Sequence, residues 1–229
     1  MPIRTRNRAH YLLHRLNSNS LLLKFMGWRH PLTCRKLMKF ERLDIRLGES
    51  RRFPGWISSN FQVFAPNFLD GRRSFKPLNN LNYVYLDNVI EHLTYEQGRT
   101  FLNNIFRAMV PGGCVRLATP DLRSICEVYL EGDQKSILEM HQDLTPHNLS
   151  VRRAPEMLRS TFCAFGHEKG YIYDFETLKE VLEDVGFQDV LFYRPGQSDR
   201  SKYLQVESRM SQSDKWSQMC IEATKVQAS

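Results

Sequence analysis

Two stretches of the chain set polar residues where strands should end. Asn82 to Asp87 reads as a strand that closes on Asp87 and Asn88 and runs on into Glu91, His92 and Leu93. Val110 to Asp121 reads as a turn and a second strand closing on Thr119, Pro120 and Asp121. In an α/β sheet the carboxyl edge of the strands is where ligands bind, so these polar ends mark a crevice. Each has a competing structural use: Asp87 can close its strand, Asp121 can cap the next helix, and His92 can pack against backbone instead of facing the crevice. His141, His147 and His167 with Asp143 are a further set with metal or proton chemistry. Their spacing matches no tight ligand motif, so the sequence assigns no metal and reads them as loop histidines. Trp56, Tyr171 and Tyr173 read as core.

The elements that must carry these residues alternate between strand and helix, the pattern of an α/β domain. Leu43–Leu47, Trp56–Asn60, Val63–Phe68 and Tyr83–Asp87 are strand candidates. Thr94-Tyr95-Glu96-Gln97 has the form of a capping box. Phe101, Leu102, Ile105, Phe106 and Met109 repeat after it at helical spacing, and Pro111-Gly112-Gly113 ends that helix and turns the chain into Val115–Thr119. Asp121 starts a helix that stops near Gly132, and Asp174 starts another that stops at Gly186. Residues 134–170 read as an insertion, helical at first and then polar and aperiodic. We expect it to cover the crevice, with His167 and Tyr171 near the ligand. Asp189–Tyr193 and Gln218–Ala223 are the last strands, joined by a long hairpin-like connection.

The net charge of +7 is unevenly placed. Residues 1–42 hold ten Lys or Arg against one acid, Glu41, which leaves 22 bases and 24 acids for residues 43–229, a net −2. A nucleic-acid-binding enzyme would carry its basic stripe on the folded domain, so no nucleic-acid partner is expected. The basic segment, residues 1–41, has apolar runs interrupted by Arg15 and Lys24, too short for the roughly 20 residues that span a bilayer. It reads as an amphipathic arm, with three uses left open: a helix packed on the body, an interfacial helix drawn to an anionic membrane surface, or an organelle presequence. Five cysteines without a CxxC pair point to reduced thiols and a cytoplasmic location.

Residues 42–229 resemble a class I S-adenosylmethionine-dependent methyltransferase, and more narrowly the small predicted methyltransferases associated with polysaccharide biosynthesis. The resemblance rests on an ordered set: Leu47-Gly48 with Pro54-Gly55-Trp56-Ile57, Phe68-Leu69-Asp70, Val84-Tyr85 with Glu91-His92-Leu93, Val110-Pro111-Gly112-Gly113 with Arg116 to Leu122, Gly166-His167, Tyr173 to Leu178, Gly186-Phe187, Ser198, Glu207 and Glu222 to Lys225.

The resemblance implies a Rossmann-like methyltransferase sheet, mostly parallel with an antiparallel last strand, helices on both faces and a basic N-terminal helical arm. It implies S-adenosyl-L-methionine as cofactor, held by Leu47, Gly48 and Glu49 after the first strand, Asn60 at the ribose, Asp70 at the adenine, and Asp87 and Asn88 beside the methionine part. It places His92 closest to the acceptor, a small molecule or saccharide; His92 and, from the insertion, His167 are the catalytic candidates. Two departures from the family pattern stand out. Leu47-Gly48-Glu49-Ser50 lacks the second glycine of a Leu-Gly-Cys-Gly loop, and Asn60 replaces a ribose-binding acid. They keep a second reading open, a methyltransferase-like fold acting as a non-catalytic scaffold or partner protein.

Overall fold

The computed structural model describes residues 26–47, 53–206 and 210–226. Six strands form one sheet: β1 (Arg42–Arg46), β2 (Ile57–Asn60), β3 (Leu81–Asp87), β4 (Met109–Pro120), β5 (Gln188–Tyr193) and β6 (Gln218–Thr224). Their order is β2-β1-β3-β4-β6-β5. Pairings from β2 to β4 are parallel, and β6 runs antiparallel to both of its neighbours. This is the expected Rossmann-like sheet with an antiparallel last strand. It turns the carboxyl ends of β1, β3 and β4 toward one edge, with Arg46 opposite Asp87 and Asp87 opposite Ala118.

Alternation along the strands assigns the two faces. Leu43 and Ile45, Val84 and Leu86, Val115 and Leu117, and Met219, Ile221 and Ala223 all enter the main core. Three helices cover that face: α1 (Arg29–Leu37), α2 (Tyr95–Ala108) and, after three further helices introduced below, α6 (Phe175–Val185). Both expected caps of α2 and α6 are present. Thr94 and Gln97 bond reciprocally as a capping box, and Asp174 accepts from the Thr177 N–H while Gly186 closes the helix in the left-handed conformation.

The opposite face is polar in its middle. Asp44, Arg46, Tyr85, Asp87, Arg116 and Glu222 lie there in register, Asp44 beside Tyr85, Tyr85 beside Arg116 and Arg116 beside Glu222. Arg116 is fully buried and pairs with Glu222 at 2.8 Å, and Glu222 also takes Arg200 at 2.9 Å and the Ser198 hydroxyl at 2.5 Å. A charge without water needs such a partner, and each of these has one. Helices flank both faces, but unevenly: this second face is covered by Trp56, Phe53 and the one-turn helix α7 (Ser201–Leu204) with Tyr203 and Val206. Only residues 47–56 separate β1 from β2, and their described part holds no helix.

A satellite core joins α3 (Leu122–Glu131), α4 (Gln134–Leu144) and α5 (Ala154–Cys163) through Ile125, Val128, Ile137, Met140, Val151 and Met157, with Trp216 of α8 (Asp214–Ser217) against them. Residues 134–170 are therefore more ordered than their sequence suggests. Asp133 caps α4, and Pro155 lies in the first turn of α5, where its missing N–H costs nothing.

One expected strand is corrected. Val63–Phe68 is no strand: only Phe68 bridges to Asn60, while the Arg29 guanidinium takes the carbonyls of Val63 and Ala65 that a sheet would need, and Pro66 offers no N–H. The connection after β5 does join antiparallel neighbours, as the hairpin-like reading has it, and it carries α7 and α8. In the basic segment, residues 26–41 follow the packed reading: Cys34 and Leu37 are fully buried in the main core. The division at residue 41 is thus not a boundary of packing. Residues 1–25 lie outside the described residues. No helix among the described residues is long and apolar enough to cross a membrane.

Candidate functional site

A cavity of about 370 Å³ opens at the carboxyl edge of the parallel strands, within the ~300–1,000 Å³ common for small-molecule sites. Leu47 after β1, Asn88 after β3 and Pro120 at the end of β4 line its floor. Asn88 stands in the left-handed conformation (φ 48°), which lets the chain turn sharply off β3, and its N–H donates to the Ala118 carbonyl at 2.9 Å. His92 follows on a single 3₁₀ turn, Ile90–His92.

Residues 134–170 supply the roof. Met140, Leu144, Thr161, Phe165 and His167 line the cavity from above. His167 is buried and sits on a 3₁₀ turn, His167–Lys169, whose neighbour Gly170 lies against the backbone of Glu91. The Tyr171 N–H donates to the Leu93 carbonyl at 2.9 Å, so the two turns are clipped together. The rings of His92 and His167 meet edge to face, centroids 4.7 Å apart. Reading His167 as a surface loop histidine is therefore corrected. Of the rest of that set, Asp143 and His147 line the same cavity and His141 does not; the Val151 N–H donates to His141 Nδ1 and the Ser213 N–H to Asp143. Tyr171 is not among the lining residues; it stacks on Tyr95 and Tyr173.

The acidic candidates are placed differently. Asp87 is buried on the polar face of the sheet and pairs with Arg46 at 2.5 Å. Arg46 also holds Asp44 at 2.7 Å and stacks over Phe53 and Tyr85. Burial opposes the Arg46 charge, but Asp87 and Asp44 outweigh it and hold its pKa above the usual value. For Asp44 burial wins and raises the carboxyl despite Arg46. Asp70 is gripped by Arg72 at 2.9 Å and Arg73 at 3.3 Å. Burial works to raise its pKa, yet bonds from Arg72 bring it below the usual carboxylate value. Asn60 is buried and its side-chain oxygen accepts from the Gln62 N–H at 2.8 Å. None of Asn60, Asp70 or Asp87 lines the cavity, whereas Gln62 does. Gly48 and Glu49 lie outside the described residues.

Sequence reasoning missed Arg46 and the segment from Ser211 to Gln218, which closes one side of the cavity. The alternation Leu43-Asp44-Ile45-Arg46 was the available signal for the first, because it puts two charges on one face of a central strand. Nothing periodic marks the second. Glu91 was visible only as part of a motif. It is fully buried beneath the cavity, accepting from the Thr119 hydroxyl at 3.2 Å.

No protein-family model and no curated protein matches the chain. Solved structures do. Human N-acetylserotonin methyltransferase in complex with SAM is 16% identical, with 99% of this chain and 57% of that one covered, at a TM-score of 0.44. The CurJ carbon methyltransferase is 13% identical over 93% of this chain and 57% of its own, at 0.48. A SAM-dependent methyltransferase from Thermotoga maritima is 12% identical over 94% and 99%, at 0.45. The chain spans little more than half the length of the first two.

Proposed function

We propose that the protein transfers a methyl group from S-adenosyl-L-methionine to a small-molecule or saccharide acceptor. The observation that carries the reading is one cavity bounded by the ends of β1, β3 and β4 on one side and by His92 and His167 on the other. The ordered motifs of the sequence support it. The cavity's size and its floor of Leu47, Asn88 and Gln62 fit the cofactor; Asp70 and Asp87, held by arginines, are not part of that fit. When bound, the cofactor supplies an already activated methyl group, so the protein's own tasks are to orient two reactants and manage a proton. Leu47 and Asn88 bind and orient from the sheet edge. His167, whose Nδ1 faces the Thr161 carbonyl at 2.7 Å, must donate from that nitrogen, because a carbonyl only accepts. Its Nε2 is thereby the basic atom. His92 and the insertion enclose the acceptor and exclude water.

The pairing of Asp87 with Arg46 favours a second reading, the non-catalytic scaffold, since the acid nearest the expected cofactor position is already neutralised. Thermal unfolding separates the two. A ligand that binds only the folded state raises the melting temperature by mass action. S-adenosylhomocysteine should stabilise the full chain, and Leu47→Arg, which fills the floor of the cavity, should abolish that shift without lowering the melting temperature of the unliganded protein by more than a few degrees. A chain that melts identically with and without millimolar ligand supports the scaffold.

The proposal includes a peripheral contact with anionic membrane. Trp28 is 60% exposed and Leu32 52%, on a helix that also carries Arg35 and Lys36 in its last turn. Apolar anchors beside cations are the composition of an interfacial helix.

A further inference from the structure

Glu91, His92 and His167 each offer one ligand atom, and these atoms lie within 4.8 Å of one another. We propose that these three residues form a binding site for a divalent first-row transition ion of the zinc type, with its open positions turned toward the cavity.

The donor set is the first argument. Two imidazoles and one carboxylate are the protein ligands of an open, catalytic-type zinc site, and the same trio suits Fe²⁺ and Mn²⁺. Bonds of ~2.0–2.1 Å to such an ion require the donors to converge slightly from their present spacing, a change that side-chain rotation supplies. The holding bonds are the second argument. Metal-binding histidines are usually oriented by a carbonyl or carboxylate on the other ring nitrogen. His167 has this arrangement, its Nδ1 on the Thr161 carbonyl at 2.7 Å. The carboxylate is held as well, by the Thr119 hydroxyl at 3.2 Å from Oε2.

The backbone around the trio is built to keep it closed. A Cβ on Gly170 would stand 1.7 Å from the Glu91 carbonyl oxygen, so only glycine lets the His167 turn approach the Glu91 turn this closely. His92 and His167 both line the cavity while Glu91 lies fully buried behind them. This places the carboxylate at the back of the site and the open face toward a ligand. An oxygen donor in the cavity, water or an acceptor hydroxyl or carboxylate, completes the coordination. Ion binding itself does not depend on the methyl-transfer reading; an ion would occupy the lone pair of His167 Nε2, so the base role given to that nitrogen belongs to the ion-free chain.

The test uses the full chain, stripped with a chelator, dialysed and titrated with Co²⁺ as a visible probe. We expect one Co²⁺ per chain, with d–d bands of a four- or five-coordinate nitrogen and oxygen site, no thiolate charge-transfer band, and displacement by Zn²⁺. His167→Ala and His92→Ala should each weaken binding by at least about 10–100-fold, the loss that follows from removing even an outer partner of a metal ligand. His141→Gln, whose histidine lies outside the cavity lining, should bind as the unaltered chain does. His92 is the less buried of the two histidines, so His92→Ala keeps the test valid should His167→Ala unfold. Absence of the d–d bands at stoichiometric Co²⁺, or equal affinity in a folded His92→Ala, would overturn the site.

Discussion

Arg46 and Asp87 form a buried ion pair at 2.5 Å, joining the ends of two neighbouring parallel strands directly beneath the candidate cavity. Removing one member of such a pair leaves an uncompensated charge, at about 3–5 kcal/mol. Arg46→Met strands both Asp44 and Asp87 and should cost that much in urea unfolding. Asp87→Asn leaves Arg46 with Asp44 and should cost clearly less. A smaller loss for Arg46→Met than for Asp87→Asn would show that Arg46 is not the hub.

His30 predicts a pH dependence. Its Nε2 faces the Ser74 carbonyl at 2.9 Å while Nδ1 accepts from the Asp70 N–H at 3.1 Å, so both nitrogens are matched in the neutral ring. Burial lowers its pKa from 6.5, with the Ser74 carbonyl opposing. The unfolded chain takes up the proton first as pH falls, so stability is complete above about 6.5 and declines from there down to the folded pKa. Unfolding free energies of the unaltered chain and His30→Gln, measured from pH 8 to 5, should diverge above that window and converge below it. Parallel curves across the range would refute the neutral assignment.

Gly170→Ala should be among the most damaging single-methyl changes in the molecule. Its Cβ would collide with the Glu91 carbonyl, and overpacking of this kind costs about 1–3 kcal/mol. Because the clash separates the two turns, the Co²⁺ affinity should fall along with the denaturation midpoint. A variant that loses neither would mean the turns are not held in contact.

Leu37 separates a packed α1 from a merely attached one. Leu37→Ala should cost about 2–5 kcal/mol, as for other fully buried leucines. Trp28→Ser should instead leave stability unchanged and reduce sedimentation with anionic vesicles, an effect that weakens as salt screens the neighbouring charges. Equal sedimentation of Trp28→Ser and the unaltered chain would remove the membrane contact.

The elements legible in the sequence were those written locally. Thr94 with Gln97, Asp121, Asp174, Gly132 and Gly186 announce helix ends through bonds made within a few residues, and each does so in the structure. The edge carrying Leu47 and Asn88 followed from strand order. What was not legible depends on partners distant in the chain. Asp87 looked like a ligand residue because nothing near it reveals Arg46. Asp70 is the exception, since Arg72 and Arg73, which hold it, follow within three residues. Val63–Phe68 has strand-like composition, but Arg29 takes its carbonyls. His167 and Glu91 come together only because Gly170 permits it.

Isothermal titration of the intact chain with S-adenosylhomocysteine bears most directly on the proposed activity. If the cavity holds the cofactor, binding saturates at one ligand per chain and is lost in Leu47→Arg. No heat of binding at millimolar ligand, in a protein that unfolds cooperatively, would contradict a methyltransferase role.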